Sequence, residues 1–153
     1  MGSLVTVSQK CQYALRAMFQ LALHYPSDSV IVLSEIANAQ DIPVRFLELI
    51  IAKLRKEGFV RSQRGQSGGY VIAKPPVQIT VGEIFRAVEG ADAAINFRST
   101  DMSESGMALS DDHIFKSLYM EARTAISKVF DTKTLQDLID KKPKNLESFD
   151  YGI

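Results

Sequence analysis

Three charged side chains have the types and the spacing to read DNA bases. Arg45 and Glu48 follow Pro43 and lie with Val44 on the side of a helical pattern that faces away from Leu47, Ile50 and Ile51. A guanidinium there can donate two parallel hydrogen bonds to a guanine edge, and a carboxylate can accept from cytosine N4. The competing reading is an ordinary i,i+3 ion pair on a solvated helix face. Arg64 opens the run Arg64-Gly65-Gln66-Ser67-Gly68-Gly69, where it can enter a minor groove, whose narrow A·T stretches attract guanidinium groups. Lys53, Arg55, Lys56 and Arg61 suit phosphate contacts, or are simply solvated.

Other chemistries find little support. The two histidines, His24 and His113, fall on different helical patterns with no spacing for shared metal or acid–base work. The Gly-rich run lacks the Gly-Lys-Ser/Thr of a phosphate-binding loop and the helix that follows one. Asp111, Asp112 and Glu121 read as a helix start and its solvated face. The single cysteine, Cys11, excludes an intramolecular disulfide and a Cys-based zinc finger. No catalytic residue, no metal ligand set and no enzyme are expected.

The elements that must hold these side chains form a mainly α pattern. Cys11, Ala14, Leu15, Met18, Phe19, Ala22 and Leu23 recur at helical spacing until Pro26. After the extended run Val30-Ile31-Val32 comes a short helix on Leu33, Ile36 and Ala37. Gln40-Asp41-Ile42-Pro43 breaks it, with Pro43 placed as the first residue of the next helix, where a missing N–H costs nothing. That third helix carries Val44, Leu47, Ile50, Ile51 and Leu54 on one stripe and has Gly58 as its C-terminal stop. Two strand-like runs, 59–62 and 70–73, flank the Gly-rich loop. Helix, break, helix and hairpin together predict a winged helix-turn-helix with a small two-stranded wing. Thr80 and Glu83 then form a capping box, and Gly90 ends the helix they open.

The remainder divides into a flexible loop at 91–110, a long helix from about Asp111 to Phe130, a short helix near 134–139 and a polar tail from 143. The expected domains are therefore 1–90 for DNA binding, 111–142 for dimerisation and 143–153 as the tail. The long helix presents Ile114, Leu118, Ala122, Ile126 and Val129 as one apolar stripe, and nothing after it is long enough to cover that stripe, which argues for a homodimer.

Composition agrees. The 153 residues are 46% hydrophobic and 24% charged, which supports a packed core. The net charge of zero hides a split. Residues 1–74 hold nine Lys/Arg against five Asp/Glu, whereas residues 75–153 hold nine against thirteen. Within 45–74 the basic residues lead seven to two, which suits a nucleic-acid module joined to a half that does not bind it. No run approaches a membrane span and no secretory signal is visible in Met1–Val7, so the cytoplasm is expected and no membrane partner.

Several runs carry a family resemblance: Lys10-Cys11-Gln12-Tyr13-Ala14-Leu15-Arg16-Ala17, Leu33-Ser34-Glu35-Ile36-Ala37, Ile42-Pro43-Val44-Arg45-Phe46-Leu47-Glu48 and Leu54-Arg55-Lys56-Glu57-Gly58-Phe59-Val60. With the wing Arg64–Tyr70 and the segment Ile79–Ile84, the chain resembles the Rrf2 family of bacterial transcription regulators. The resemblance implies a homodimeric repressor of double-stranded DNA whose long helices cross. It implies that Arg45 and Glu48 read bases, that Arg64 sits in a minor groove, and that Ser8, Lys10 and Tyr13 hold phosphate. Phe46, Lys53, Arg55, Gly65, Gly68, Gly69 and Tyr70 complete the DNA-binding set.

The chain also departs from the family. Many members hold a [2Fe–2S] cluster on three cysteines in the loop before the long helix, and residues 91–110 contain none. No cofactor is expected, and Cys11 reads as a buried structural thiol. The ending Asp150-Tyr151-Gly152-Ile153 resembles the terminal-isoleucine peptides that enter the active site of cysteine synthase (O-acetylserine sulfhydrylase). Within the family, the cluster-free repressors of cysteine metabolism share such a tail and work with that enzyme. The other readings are a tail that packs on its own dimer, a regulator that senses a small molecule directly, and a winged-helix protein-interaction adaptor without DNA specificity.

Overall fold

Ser8 opens the first helix: its Oγ accepts the Cys11 N–H at 3.1 Å, which satisfies one of the donors a helix start leaves free. The computed structural model describes residues 5–26, 29–66, 68–90, 95–97 and 111–143. Helix α1 (Gln9–Ala22) buries Cys11, Ala14, Met18 and Ala22 of the expected stripe, with Ala17 and Leu21 beside them, while Leu15, Phe19 and Leu23 are half-buried. Helix α2 (Leu33–Gln40) stops at Asp41, whose left-handed φ of 52° turns the chain sharply. Pro43 is the N-cap of α3 (Val44–Lys56) rather than its first residue, a shift of one position.

Helix α3 ends in a Schellman turn. The Phe59 N–H donates to Leu54 O at 2.9 Å and the Gly58 N–H to Arg55 O at 3.1 Å. The turn requires a left-handed residue, and Gly58 supplies it at φ 86°. The turn delivers the chain into the wing, β2 (Val60–Gln63) and β3 (Gly69–Ile72), paired antiparallel from Val60↔Ile72 to Gln63↔Gly69. A third strip joins this sheet. Tyr70 exchanges both backbone hydrogen bonds with Ile31, at 2.8 and 3.0 Å, so the extended run between α1 and α2 backs the wing. Gly69 is required at this junction because a Cβ there would lie 2.7 Å from Ile31 O.

A 3-10 turn (Pro76–Gln78) leads to α4 (Val81–Glu89), where both halves of the Thr80–Glu83 capping box are formed. Helix α5 (Asp112–Thr132) and helix α6 (Leu135–Asp140) follow. Two features differ from the sequence reading. Residues Ile95–Phe97, within the stretch read as loop, form a strand β4 that pairs antiparallel with β1 (Val5–Val7). Three-residue strands carry too little periodicity to be seen in sequence. The short last helix is also no part of a separate extension. It packs on α1, and Leu135 is fully buried in the main core, its N–H donating to Ile79 O at 2.9 Å. The boundary expected near 90 is therefore crossed by the core itself.

Among the described residues, no helix is long and apolar enough to cross a membrane.

Candidate nucleic-acid interface

Helix α3 buries Leu47, Ile50, Ile51 and Leu54, which fixes which side chains face out. At ~100° per residue the line opposite that stripe is Arg45, Leu49, Ala52 and Lys56. Glu48 and Arg55 flank it towards the wing, and Phe46 and Lys53 flank it towards α1 and α4. Arg45 and Glu48 are both exposed. Arg45 and Glu48 form no ion pair with each other, so they do not neutralise each other. Both polar ends remain available to an incoming partner.

Neighbouring elements set the pose of this helix. The Tyr13 and Phe46 rings lie 6.4 Å apart at 36°, which ties the N-terminal half of α1 to the first turn of α3. Tyr13 accepts a hydrogen bond from Gln9 Nε2 at 2.8 Å, and its own O–H finds no acceptor among the described residues. Lys10, in the same turn, is exposed. On the other flank Arg55 Nη1 reaches Ser62 Oγ at 3.4 Å, a long contact from α3 to β2. Arg64 and Gly65 are exposed at the tip of the hairpin, and the Gly68 N–H closes the turn on Gly65 O at 3.0 Å. Recognition helix, start of α1 and wing tip are thus held as three parts of one frame.

Three residues of the expected DNA-binding set are engaged elsewhere. Ser8 Oγ caps α1 and donates to Glu89 Oε1 at 2.7 Å, so its hydroxyl is already used on both sides. Lys53 Nζ donates to Val88 O at 3.0 Å, a cation on the last turn of α4, where the helix dipole favours it. Tyr70 is half-buried against the core, and its backbone is shared between β2 and Ile31. None of these contacts is visible in sequence, because each joins residues far apart in the chain. The reverse omission is Leu49. It is 72% exposed on the outermost line of α3, and its apolar side chain on a polar face was the signal available.

The long helix behaves differently from the rest. None of the 21 residues of α5 is buried. Ile114, Leu118 and Val129 are exposed, while Ala122 and Ile126 are half-covered. The helix is anchored at its end: Phe130 meets Phe85 edge-on at 5.1 Å, Asp131 pairs with Arg86 at 2.7 Å, and Lys133 O accepts the Val81 N–H at 2.9 Å. The expected partner-binding tail, Asp150, Tyr151, Gly152 and Ile153, lies outside the described residues.

A cleft of about 220 Å³ opens between the end of α1 and the back of the wing, with His24, Tyr25, Arg61 and Gln63 on its walls. Its volume is below the ~300 Å³ of the smallest typical ligand sites.

This frame defines a DNA-binding transcription regulator of the winged helix-turn-helix class, extended by an uncovered helix. Known proteins agree. A family model described as Rrf2, an iron-dependent transcriptional regulator, matches residues 7–141. The chain belongs to the Rrf2 family. It is 30% identical to the HTH-type transcriptional regulator CymR of Bacillus subtilis over 148 residues, 96% of this chain and 99% of that one. The structure of that CymR, described as the global cysteine regulator of B. subtilis, superposes with a TM-score of 0.71, covering 90% of this chain and 98% of the other. The structure of T. potens IscR, 32% identical, superposes at 0.72, covering 92% of this chain and 93% of that one. Each of these relatives carries a regulator's name and none an enzyme's.

Iron, in the form of a cysteine-held cluster, does not fit the donors present. The one thiol, Cys11, is fully buried in α1 with its S–H towards Phe85 O at 3.8 Å. Burial pushes its pKa above the ordinary 9.0, the opposite of what a thiolate ligand needs. Among the described residues no group of three His, Cys, Asp or Glu side chains could hold a metal ion.

Proposed function

We propose that the chain acts in the cytoplasm as a homodimeric repressor that holds a pseudo-palindromic operator on double-stranded DNA. The carrying observation is the exposed, unpaired Arg45–Glu48 face of α3, held between the start of α1 and the wing. In this reading the first turn of α3 enters the major groove, with Arg45 on guanine and Glu48 on cytosine N4. Arg64 enters the adjoining minor groove, and Lys10 and Tyr13 hold phosphate on the other flank. Pairing through Ile114, Leu118, Ala122, Ile126 and Val129 sets two recognition helices about one DNA turn, or ~34 Å, apart. A bound dimer excludes polymerase from an overlapping promoter.

The test is a salt titration of operator affinity together with Arg45→Ala. Log Kd should climb steeply with log salt, and Arg45→Ala should cost about 1–3 kcal/mol and relax the choice of one base pair. A flat salt response with unchanged base preference refutes the reading and favours the adaptor.

The regulatory input in this proposal is cysteine synthase, captured by the terminal Asp150-Tyr151-Gly152-Ile153. Support comes from the resemblance of the run Asp150-Tyr151-Gly152-Ile153 to the peptides that enter that enzyme's active site and from the similarity to CymR over 96% of the chain. Titrating cysteine synthase with the intact chain and with a chain lacking Ile153 tests it. Micromolar or tighter binding that vanishes with that residue supports the partnership, and equal binding or none refutes it.

A further inference from the structure

We infer that Leu49 reads the C5-methyl group of a thymine in the major groove, about two base pairs from the one that Arg45 reads. The inference rests on the DNA-binding reading above and names a specificity residue within it. Leu49 is the most exposed of the large hydrophobic side chains among the described residues, at 72%. A lone exposed leucine is unremarkable on most surfaces. This one stands on the outermost line of α3, one turn after Arg45 and two turns before Lys56, with only Ala52 between. The strip is therefore apolar in the middle and cationic at both ends.

A surface that complements it has an apolar point between anionic rims. The major groove at a thymine has this form, with a methyl group in the groove and phosphates on either side. A protein helix fits less well, because its apolar stripe would meet the Arg45 guanidinium one turn from Leu49 and the Lys56 ammonium two turns away. Register agrees with DNA. Four residues of helix advance about 6 Å, which is near two base steps of ~3.4 Å. Leucine has no donor or acceptor, so the methyl is the one feature through which it can distinguish bases.

The experiment uses the full chain and duplexes it selects from a random library, each thymine being replaced in turn by deoxyuridine, which lacks the methyl. One thymine per half-site should prove sensitive, weakening binding about fourfold, the worth of one buried methyl. Leu49→Ala should bind the thymine and uracil duplexes alike, with its circular dichroism unchanged because the side chain is mostly exposed and outside the core. Two results overturn the inference alone: Leu49→Ala that keeps the full thymine preference, or Arg45-dependent recognition in which no uracil replacement matters. A chain that selects no sequence at all overturns the DNA reading and this inference with it.

Discussion

Replacing Lys53 by methionine separates two roles that one side chain cannot fully serve together. As a phosphate contact, Lys53 would contribute to DNA binding and nothing else. In the structure its ammonium donates to Val88 O at 3.0 Å, tying the recognition helix to the C-terminal turn of α4. A hydrogen bond from a charged donor is worth about 1.5–3 kcal/mol when dry. Lys53 is exposed, so solvent screening reduces this to about 1 kcal/mol. For a chain of 153 residues that corresponds to a fall in Tm of about 2–4 °C. Methionine keeps the apolar stem, so the loss isolates the ammonium. Operator affinity measured across salt supplies the second readout. Each phosphate contact contributes ~0.9 to the slope of log Kd against log salt, so Lys53→Met should leave the slope unchanged. Lys10→Met is the comparison, expected to flatten the slope by about one unit per half-site while leaving Tm alone. Calorimetry at one fixed protein concentration and fluorescence anisotropy provide the two measurements. A Lys53→Met chain with unchanged Tm and a flatter salt slope would refute the reasoning.

Three further outcomes are expected. Leu118→Glu places a carboxylate on the exposed stripe of α5; sedimentation should show the dimer weakened more than 100-fold, since an unpaired charge in an apolar interface costs at least about 3 kcal/mol. Gly69→Ala forces a Cβ to 2.7 Å from Ile31 O, and should lower stability by about 1–3 kcal/mol in urea titrations as the wing separates from its backing strand. The burial-raised thiol of Cys11 keeps its proton in the folded chain at pH values where the unfolded chain loses it, so its contribution is intact below the ordinary 9.0 and is lost as pH rises beyond it. Urea midpoints of wild type and Cys11→Ala, compared at pH 7 and 10, should converge on the alkaline side; a constant gap would show that Cys11 does not ionise differently on folding.

What could be read in the sequence was what short-range physics decides. The Thr80–Glu83 box, the stop at Gly58 and the stripe Leu47, Ile50, Ile51 and Leu54 each follow from residues within a turn or two of one another. The turn at 40–43 and the wing hairpin belong to the same group, and together they specify a winged helix. Pairings across long stretches of chain could not be read. Ser8 meets Glu89 across 81 positions and Lys53 meets Val88 across 35, and either serine or lysine alone looks free for phosphate. The β1–β4 pair and Leu135 in the core were hidden for the same reason. The candidate interface divides along that line. Arg45 and Glu48 could be placed because helical periodicity alone puts them outside, whereas the inward turn of Ser8 and Lys53 needed coordinates.

The one-ended anchoring of α5 has a consequence for dosage. The helix is about 32 Å long by its 21 residues, and the contacts described above gather at its end, near Phe130, Asp131 and Lys133. Most helical stability in proteins comes from packing an apolar face rather than from intrinsic propensity. If a second copy completes the packing, forming the far half of α5 and pairing the chains are one event. Helix content would then fall on dilution, and the number of dimers able to span two half-sites would rise with the square of the number of chains at low abundance. Such a regulator counts its own copies before it can hold both half-sites.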